Sequence, residues 1–429
     1  MNEGHLQGSG ISHLLEHLVF KGTENYSGQD LARKVQERGG HWNAYTSVNR
    51  TVFYIDGPAE SWQVFLNLLT ELVFSPTFPE GELEREKEVV RREMAMYADE
   101  PDSVAYQLLM QTLYLKHPRR WPVLGEPEVF DTLTREDVLE YHASRYVPNN
   151  VVLSIAGDVD AREVLSHLEL LVEDLKARPL NREPLPHEPH QFGSRTVRKE
   201  FAVPYSKLSL AWRLPCSAHP DTPALSALAS ILGGGRSARF YEKFHDRLGM
   251  VYSIEVHSNQ SESDEGAFTI TMDVDRAQRD KVRDLILQEL RNLEREDFTE
   301  DLKRVCKQTR VSRLRRKSSA SGMASEMGAD WFGARNLNLS SEWQEAIERV
   351  TSEDLHRVCA GWLSSPNVTE VSLDPLGSNA EEVPAGSEET DAVLSELVLP
   401  NGLKVVVRED HRLPLAYACL VFKLSLIHI

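Results

Sequence analysis

The sequence is poor in cysteine and contains no long apolar run. Its four cysteines, Cys216, Cys306, Cys359 and Cys419, lie far apart and form no C-x-x-C pair. This spacing is not typical of a disulfide framework or a cysteine-based zinc knuckle, and we interpret these residues as isolated small hydrophobic side chains. No run of about 18 or more apolar residues is present, so the sequence predicts no transmembrane segment.

Basic residues are scarce relative to acidic ones. The 429-residue chain has 48 lysines and arginines against 66 aspartates and glutamates, a formal net charge of −18. A surface this acidic repels nucleic acid, and we expect no nucleic-acid partner. No signal peptide is recognisable. Because we expect a targeting region to have preceded Met1, the compartment stays open between the bacterial periplasm and the cytoplasm.

The apolar content suffices for two or three domains. Hydrophobic residues make up 41% of the chain, and its two halves share an order of strand, helix, paired strands, long helices and a last strand. This order predicts an α+β fold with a duplicated unit. We expect a first domain at 1–180, a Pro-rich linker with little to pack at 181–194, and a second domain at 195–378. Within the first domain, "NNVVLSIAGDVD" (149–160) is predicted to contain a buried strand.

The C-terminal segment is predicted to begin a third domain. An acidic linker at 379–394 precedes residues 395–429, where "LVLPNGLKVVVREDHRLPLAYACLVFK" has the pattern of a strand hairpin. A hairpin without helices leaves its apolar face uncovered, so we expect the chain to be truncated inside this domain. The final "LSLIHI" fits no neighbouring pattern, and we interpret it as an artefact.

The stretch "GISHLLEHLVFKGT" (10–23) contains the chain's clearest candidate for a metal site. On a helix predicted over 12–20, His13 and His17 lie one turn apart on one face, and Glu16 lies close to His13. The two imidazole nitrogens can bind one metal, and Glu16 can address a water on that metal. Zinc prefers nitrogen and carboxylate ligands, and H-x-x-E-H is the inverzincin order. The alternative is a pair of histidines buried in a core helix.

A zinc site of this kind needs a third protein ligand. The charged helix "EREKEVVRREMAMY" offers Glu86 and Glu93, which lie two turns apart on one face. Apolar residues near that face suggest that both carboxylates point inward. The alternative is an ordinary solvated charge run.

Taken together, the two helices closely resemble the insulinase/pitrilysin family of zinc peptidases. The chain has H-x-x-E-H, and Glu93 follows His17 at the family's spacing. The resemblance implies tandem homologous α/β-sandwich-like domains and one Zn²⁺ per chain. It also implies that His13, His17 and Glu93 are the ligands, that Glu86 supports a ligand, and that Glu16 is the catalytic general base.

The resemblance also implies where substrate binds. "GGHWNAYTSVNRTVFY" matches the family's N-A-x-T strand, an open sheet edge to which a peptide adds as a further strand. The implied substrate-binding residues are Asn43, Ala44, Tyr45 and Thr46. The alternative is an ordinary amphipathic strand.

One position departs from the family pattern. Tyr252 matches a substrate-contacting tyrosine, but His245 stands where active members place an arginine seven residues earlier. In long members the second half of the molecule supplies this pair. We therefore expect the chain to be the N-terminal half of a two-half enzyme. The opposing half would come from the missing part of the same chain or from a partner subunit, and residues 1–429 alone would be weakly active.

The function that the resemblance implies is zinc-dependent cleavage of peptides or unfolded proteins. Metal-activated water would attack the scissile carbonyl, with Glu16 as the base. The alternative, also found in the family, is a catalytically silent subunit that serves a structural role or presents substrate.

Overall fold

The structure, a computed structural model, describes residues 3–180, 184–260, 266–363, 366–378, 394–398, 400–401 and 404–408. The fold is mixed α and β, as the sequence predicted. None of the helices in these ranges combines the length and hydropathy of a membrane span.

The N-terminal half is mostly helical, and its described residues contain one antiparallel strand pair. Its strands are β1 His41–Thr46 and β2 Thr51–Asp56. Its helices are α1 Ile11–Val19, α2 Gly28–Gln36, α3 Trp62–Phe74, α4 Glu82–Asp99, α5 Pro101–Leu113, α6 Pro127–Phe130, α7 Arg135–Arg145 and α8 Ala161–Val172.

The C-terminal half is built on a five-stranded mixed sheet with the order β3-β7-β4-β6-β5. Its strands are β3 Arg195–Phe201, β4 Ser206–Leu214, β5 Ser253–Asn259, β6 Gly266–Val274 and β7 Thr369–Pro375. Its helices are α9 Thr222–Gly233, α10 Arg279–Asn292, α11 Thr299–Arg316, α12 Ala320–Ala334, α13 Leu339–Glu348 and α14 Ser352–Val358, with π-helical turns at Tyr241–Arg247 and Cys359–Leu363.

Helix α1 lies in the core of the N-terminal half. The apolar side chains of α1, Leu14 and Leu18 among them, are at most 1% exposed and pack against Val90 of α4. The helix begins after Gly10, whose φ is +70° and whose Cβ, if it had one, would lie 2.1 Å from the carbonyl oxygen of Leu124. A side chain cannot fit there, so glycine fixes the start of α1.

Helix α4 runs beside α1 and is anchored by a buried lysine. Lys87 is 3% exposed, and its Nζ donates hydrogen bonds to the carbonyl oxygens of Asp131 at 3.0 Å and Leu133 at 2.7 Å. Val90 faces the core one turn later. This anchoring orients Glu86 and Glu93, on the same helix, toward α1.

Part of the element order is repeated in the two halves: a strand pair followed by five helices, β1–β2 with α3 to α7 and β5–β6 with α10 to α14. Helices α4 and α11 both have 18 residues, and capping boxes begin α7 and α14 at Thr134 and Thr351. The offset along the chain from α4 to α11 equals the offset between these two threonines. Helix α5 packs on the five-stranded sheet through Leu109 and Leu113, whereas α12 accepts a hydrogen bond from Ser154 of the first half at its Ala324 carbonyl oxygen. Thus α5 of the first half packs on the second half, and α12 of the second half contacts the first half. These reciprocal contacts support two related units, and the boundaries at 180 and 195 stay a prediction.

The predicted strand at 149–160 is wrong. Residues 151–156 form neither helix nor strand, and Val151, Val152 and Leu153 are 38–40% exposed. In the second half, β7 occupies the corresponding place and pairs with β3 and β4. A strand exists only as part of a hydrogen-bonded pair, and no described residue of the first half pairs with 151–156.

The linker was wrongly expected to have little to pack. Glu188 is 3% exposed and accepts hydrogen bonds from the backbone N–H groups of residues 115–117 at 2.7–2.9 Å. Gln191 is 4% exposed and donates to the carbonyl oxygen of Asn367 at 3.0 Å. These two polar side chains attach the linker to both halves, as buried polar groups require partners.

The C-terminal hairpin is present in part. Strands β8 Leu394–Val398 and β9 Lys404–Arg408 pair antiparallel. Residues 379–393 of the predicted acidic linker, and everything after Arg408 including "LSLIHI", lie outside the described residues.

Candidate metal centre

Helix α1 presents both histidines to α4. His13 and His17, four residues apart, have ring centroids 4.7 Å from each other. Oε2 of Glu93 lies 3.8 Å from Nε2 of His13 and 3.8 Å from Nε2 of His17. The structure therefore brings the three predicted ligands together from two helices that lie far apart in the sequence.

The spacing of these atoms fits a metal ion. One potential ligand atom from each of His13, His17 and Glu93 lies within 4.8 Å of the other two. Ligands 2.0–2.2 Å from a tetrahedral zinc ion are about 3.3–3.6 Å apart, so the two 3.8 Å separations need only a small closure. Two nitrogens and a carboxylate oxygen are also the ligand types of catalytic zinc sites.

His13 has the protonation state that a metal requires. It is 8% exposed, and burial together with the charge of His17 lowers its pKa to about 4. Its imidazole is therefore neutral near pH 7, the form that binds metals. Its buried Nδ1 has no hydrogen-bond partner among the described residues. The other ring nitrogen, Nε2, faces Glu93 and is the one available to a metal.

Glu86 lies behind His17, opposite Glu93. Its side chain is 7% exposed, and Oε2 lies 3.3 Å from Nδ1 of His17. A carboxylate at one ring nitrogen fixes the tautomer of the imidazole and leaves the other nitrogen for the metal. The second oxygen, Oε1, lies 2.6 Å from Nζ of Lys21. This lysine stands just beyond the end of α1, and its side chain is 31% exposed.

Glu16 is held by the strand pair. It is 9% exposed, and its Oε2 accepts a hydrogen bond of 2.5 Å from the Oγ1 of Thr46, at the end of β1. Burial raises the pKa of Glu16, the Thr46 hydrogen bond and the charge of His17 lower it, and Glu93 raises it, with a net upward shift.

Two family models match most of the chain. Residues 5–126 match the model described as "Insulinase (Peptidase family M16)", and residues 132–308 match "Peptidase M16 inactive domain". The chain belongs to peptidase family M16. The predicted resemblance to the insulinase/pitrilysin family is confirmed, and both M16 domain types are present.

Relatives in M16 extend over most of the chain. An "Uncharacterized zinc protease" of Rickettsia felis is 27% identical over 356 residues, covering 81% of this chain and 83% of the relative. The "Uncharacterized zinc protease YmxG" of Bacillus subtilis is 28% identical, with 82% and 84% covered. A solved "protease from Helicobacter pylori" has a TM-score of 0.79 at 26% identity, covering 86% of this chain and 90% of that one.

In the second M16 unit, helix α9 carries no counterparts of the histidines and the glutamate of α1. When α9 is aligned with α1 by first residues, Ala224, Ala227 and Leu228 stand at the positions of His13, Glu16 and His17. All three are at most 3% exposed and belong to the core cluster of the second half. This apolar replacement agrees with the description of the matching model as an inactive domain.

Besides Thr46, the predicted substrate-binding residues of the M16 strand lie along β1. Asn43, Ala44 and Tyr45 alternate between exposed and half-buried positions, and Tyr45 is 45% exposed. Strand β1 pairs only with β2 among the described strands. The side-chain oxygen of Asn43 accepts the N–H of Ala44 at 2.9 Å. A peptide adding at that N–H would have to displace the amide.

Tyr252 lies in the second M16 unit, outside the cluster of His13, His17 and Glu93. It precedes β5, is 56% exposed, and its hydroxyl donates to Asp275 at 3.0 Å. His245, at the family's arginine position, contacts Asp246 at 2.7 Å and stacks on Tyr241. The structure does not join these residues to the metal centre.

Sequence reasoning missed two features near the M16 motif. One is the contact of Lys21 with Glu86. The other is a network at the start of α1, where the backbone N–H and hydroxyl of Ser12 donate to Glu3 and the hydroxyl lies 2.8 Å from that of Tyr141. The Ser12–Tyr141 pair is distant in sequence and has no local signal. The lysine stands inside the quoted motif, and its position two turns from His13 was a usable signal.

Proposed function

We propose that this chain is a zinc-dependent peptidase that hydrolyses peptide bonds, with Glu16 as general base. His13, His17 and Glu93 would hold one Zn²⁺ per chain, and Glu86 would orient His17. The observation that carries the proposal is the convergence of these three ligand groups within 4.8 Å. Relatives named zinc proteases support the same chemistry.

The chemistry divides between the metal and the chain. Zinc, when bound, acts as a Lewis acid that lowers the pKa of water to about 7 and polarises a carbonyl. Glu16 takes a proton from water and passes it to the leaving amine. Its raised pKa suits both transfers, because a base works best when its pKa approaches the working pH. Thr46 holds the carboxylate in place through its hydroxyl.

The substrate would be an extended peptide or an unfolded protein segment. Strand β1 pairs with β2 along one edge, and no other described strand pairs with its second edge. A peptide could add as a strand at that second edge, a mode that reads peptide backbone more than sequence. The contacts expected from an opposing half would come from the same polypeptide or from a partner subunit. Tyr252 would serve a substrate only in such an assembly.

Metal analysis combined with one substitution tests this function. The purified chain should contain one zinc per chain, and Glu16→Gln should keep the zinc and the fold. Hydrolysis of a mixed peptide library, measured together with the opposing half or a partner chain because residues 1–429 alone are expected to be weakly active, should fall by about 10²–10⁴-fold, the usual contribution of a general base. Glu88→Gln, at an exposed position of α4, is the matched control and should change neither quantity. Equal hydrolysis by wild type and Glu16→Gln would remove Glu16 from the mechanism.

The second candidate is a catalytically silent subunit. It is favoured by the match of residues 132–308 to an inactive domain and by the apolar residues of α9. Such a subunit would cleave no library peptide, either alone or mixed with a partner chain of the same family. Cleavage that appears with the partner and is lost in Glu16→Gln would reject this candidate.

A further inference from the structure

Lys21 stands just beyond the metal-bearing helix and makes a contact that the proposed mechanism does not use. Its backbone N–H donates to the carbonyl oxygen of Leu18 at 3.1 Å, so its main chain is fixed by the helix end. Its Nζ lies 2.6 Å from Oε1 of Glu86, whose side chain is 7% exposed. A half-exposed lysine thus reaches in to a buried carboxylate.

Glu86 bridges Lys21 and His17. Oxygen Oε1 contacts the lysine, and Oε2 lies 3.3 Å from Nδ1 of His17. Nε2 of that imidazole lies 3.8 Å from Glu93. A chain of contacts therefore runs from the lysine through the carboxylate and the imidazole to the ligand cluster. Each member fixes the orientation of the next one.

The charges around this chain give the lysine a second role. Glu16, Glu86 and Glu93 place three carboxylates around the two histidines. Among the lysines and arginines of the described residues, only Lys21 forms an ion pair with one of these three glutamates. A zinc ion would balance two of the three negative charges, and Lys21 balances the third. Without that balance, a buried carboxylate is costly and would be drawn to another cation.

Glu86 and Glu93 are chemically identical, on one helix and one face, yet only one can be the third ligand. Lys21 occupies one oxygen of Glu86, and His17 occupies the other, whereas both contacts of Glu93 are with the two histidine nitrogens that face it. The ion pair thereby keeps Glu86 behind the imidazole and leaves Glu93 as the ligand.

We propose that Lys21 is a positioning residue of the metal centre: by pairing with Glu86 it holds His17 in its metal-binding orientation and excludes Glu86 as a ligand. This inference rests on the proposed zinc function. Loss of a partner behind a metal-binding histidine lowers metal affinity by about 10–100-fold, and we expect this range for removal of the lysine charge.

The test measures zinc affinity by chelator competition in the purified chain, with circular dichroism as a check on folding. Lys21→Met should bind zinc about 10–100-fold more weakly, and Lys21→Arg should stay within about threefold of wild type. Lys281→Met, at an exposed position of α10, is the matched control and should leave the affinity unchanged. The absorption spectrum of the cobalt-substituted protein should change in Lys21→Met and return in Lys21→Arg.

A double variant shows whether the lysine acts through Glu86. If it does, Lys21→Met combined with Glu86→Gln binds zinc no more weakly than Glu86→Gln alone. Additive losses would overturn the proposed route. Should Lys21→Met fail to fold, Lys21→Gln keeps a donor without the charge, and an intermediate loss is expected.

The outcomes separate this inference from the function on which it rests. Wild-type protein that binds no zinc overturns the metal centre and the role of Lys21 with it. Wild-type protein that binds zinc, together with unchanged affinity and cobalt spectrum in Lys21→Met, overturns the role of Lys21 alone.

Discussion

The hydrogen bond between Thr46 and Glu16 gives the sharpest kinetic prediction. The sequence placed Thr46 among the substrate-binding residues, whereas the structure shows its hydroxyl donating to the Glu16 carboxylate at 2.5 Å. Thr46→Val removes this hydroxyl and keeps the β-branched shape that suits a strand. The variant therefore separates a role in holding the base from a role in holding the peptide.

The size of the effect follows from the chemistry of the contact. A hydrogen bond to a charged group contributes about 1.5–3 kcal/mol, and each 1.36 kcal/mol is about a factor of ten in rate. Glu16 is 9% exposed, so water replaces the lost donor only in part. We expect kcat to fall by about 10–100-fold. The KM should stay within about twofold, because the backbone of β1 is unchanged and the hydroxyl contacts the base and not the peptide.

The assay is steady-state cleavage of a fluorogenic peptide, with zinc content measured on the same preparations. Thr46→Ser keeps the hydroxyl and should recover most of kcat. Thr196→Val, at an exposed position of β3, controls for the loss of a strand hydroxyl elsewhere. An unchanged kcat in Thr46→Val with full zinc refutes the reasoning. A raised KM with unchanged kcat would instead return Thr46 to the substrate-binding role.

Three further predictions concern stability and reactivity. Arg279 and Asp374 form an ion pair in which both side chains are at most 1% exposed, so Arg279→Met should lower the free energy of unfolding by about 3–5 kcal/mol in urea titrations. Burial would raise the pKa of Glu188, but hydrogen bonds from three backbone N–H groups and the charge of Arg213 lower it below 4.5. Its stabilising contribution, measured against Glu188→Gln, should be complete above that pH and disappear as the pH falls below it. Burial raises the pKa of the Cys359 thiol to about 12, so iodoacetamide at pH 8 should leave it unmodified until the chain unfolds, as mass spectrometry can check.

The parts of the centre that local spacing controls could be predicted from the sequence. The i, i+4 relation of His13 and His17 and the two-turn separation of Glu86 and Glu93 place side chains on one face whatever the tertiary fold. That the two faces meet was implied by the family spacing and not by helix geometry. The structure brings them together through the packing of α1 on Val90.

The remaining features depend on contacts that no local pattern contains. The hydroxyl of Thr46 reaches Glu16 from another element, and the Nζ of Lys21 reaches Glu86 on a distant helix. The strand predicted at 149–160 failed for a related reason. Its run of apolar and β-branched residues suits a buried strand, but strand formation depends on a neighbouring strand, and the sequence pattern does not show whether that neighbour is present.

A comparison of α1 with α9 shows why the polar residues of the candidate metal centre lower the stability of the N-terminal unit. In the second unit the equivalent positions carry Ala224, Ala227 and Leu228, which contribute to a continuous apolar core. In the first unit they carry two imidazoles and a carboxylate, and buried polar groups lower stability unless they are partnered. Thr46 partners the side chain of Glu16, and Glu86 partners that of His17. A ligand that binds only the folded state adds stability that grows with its concentration relative to its Kd. A metal held by His13, His17 and Glu93 would therefore stabilise the N-terminal unit, whereas α9 of the C-terminal unit carries apolar residues at the equivalent positions.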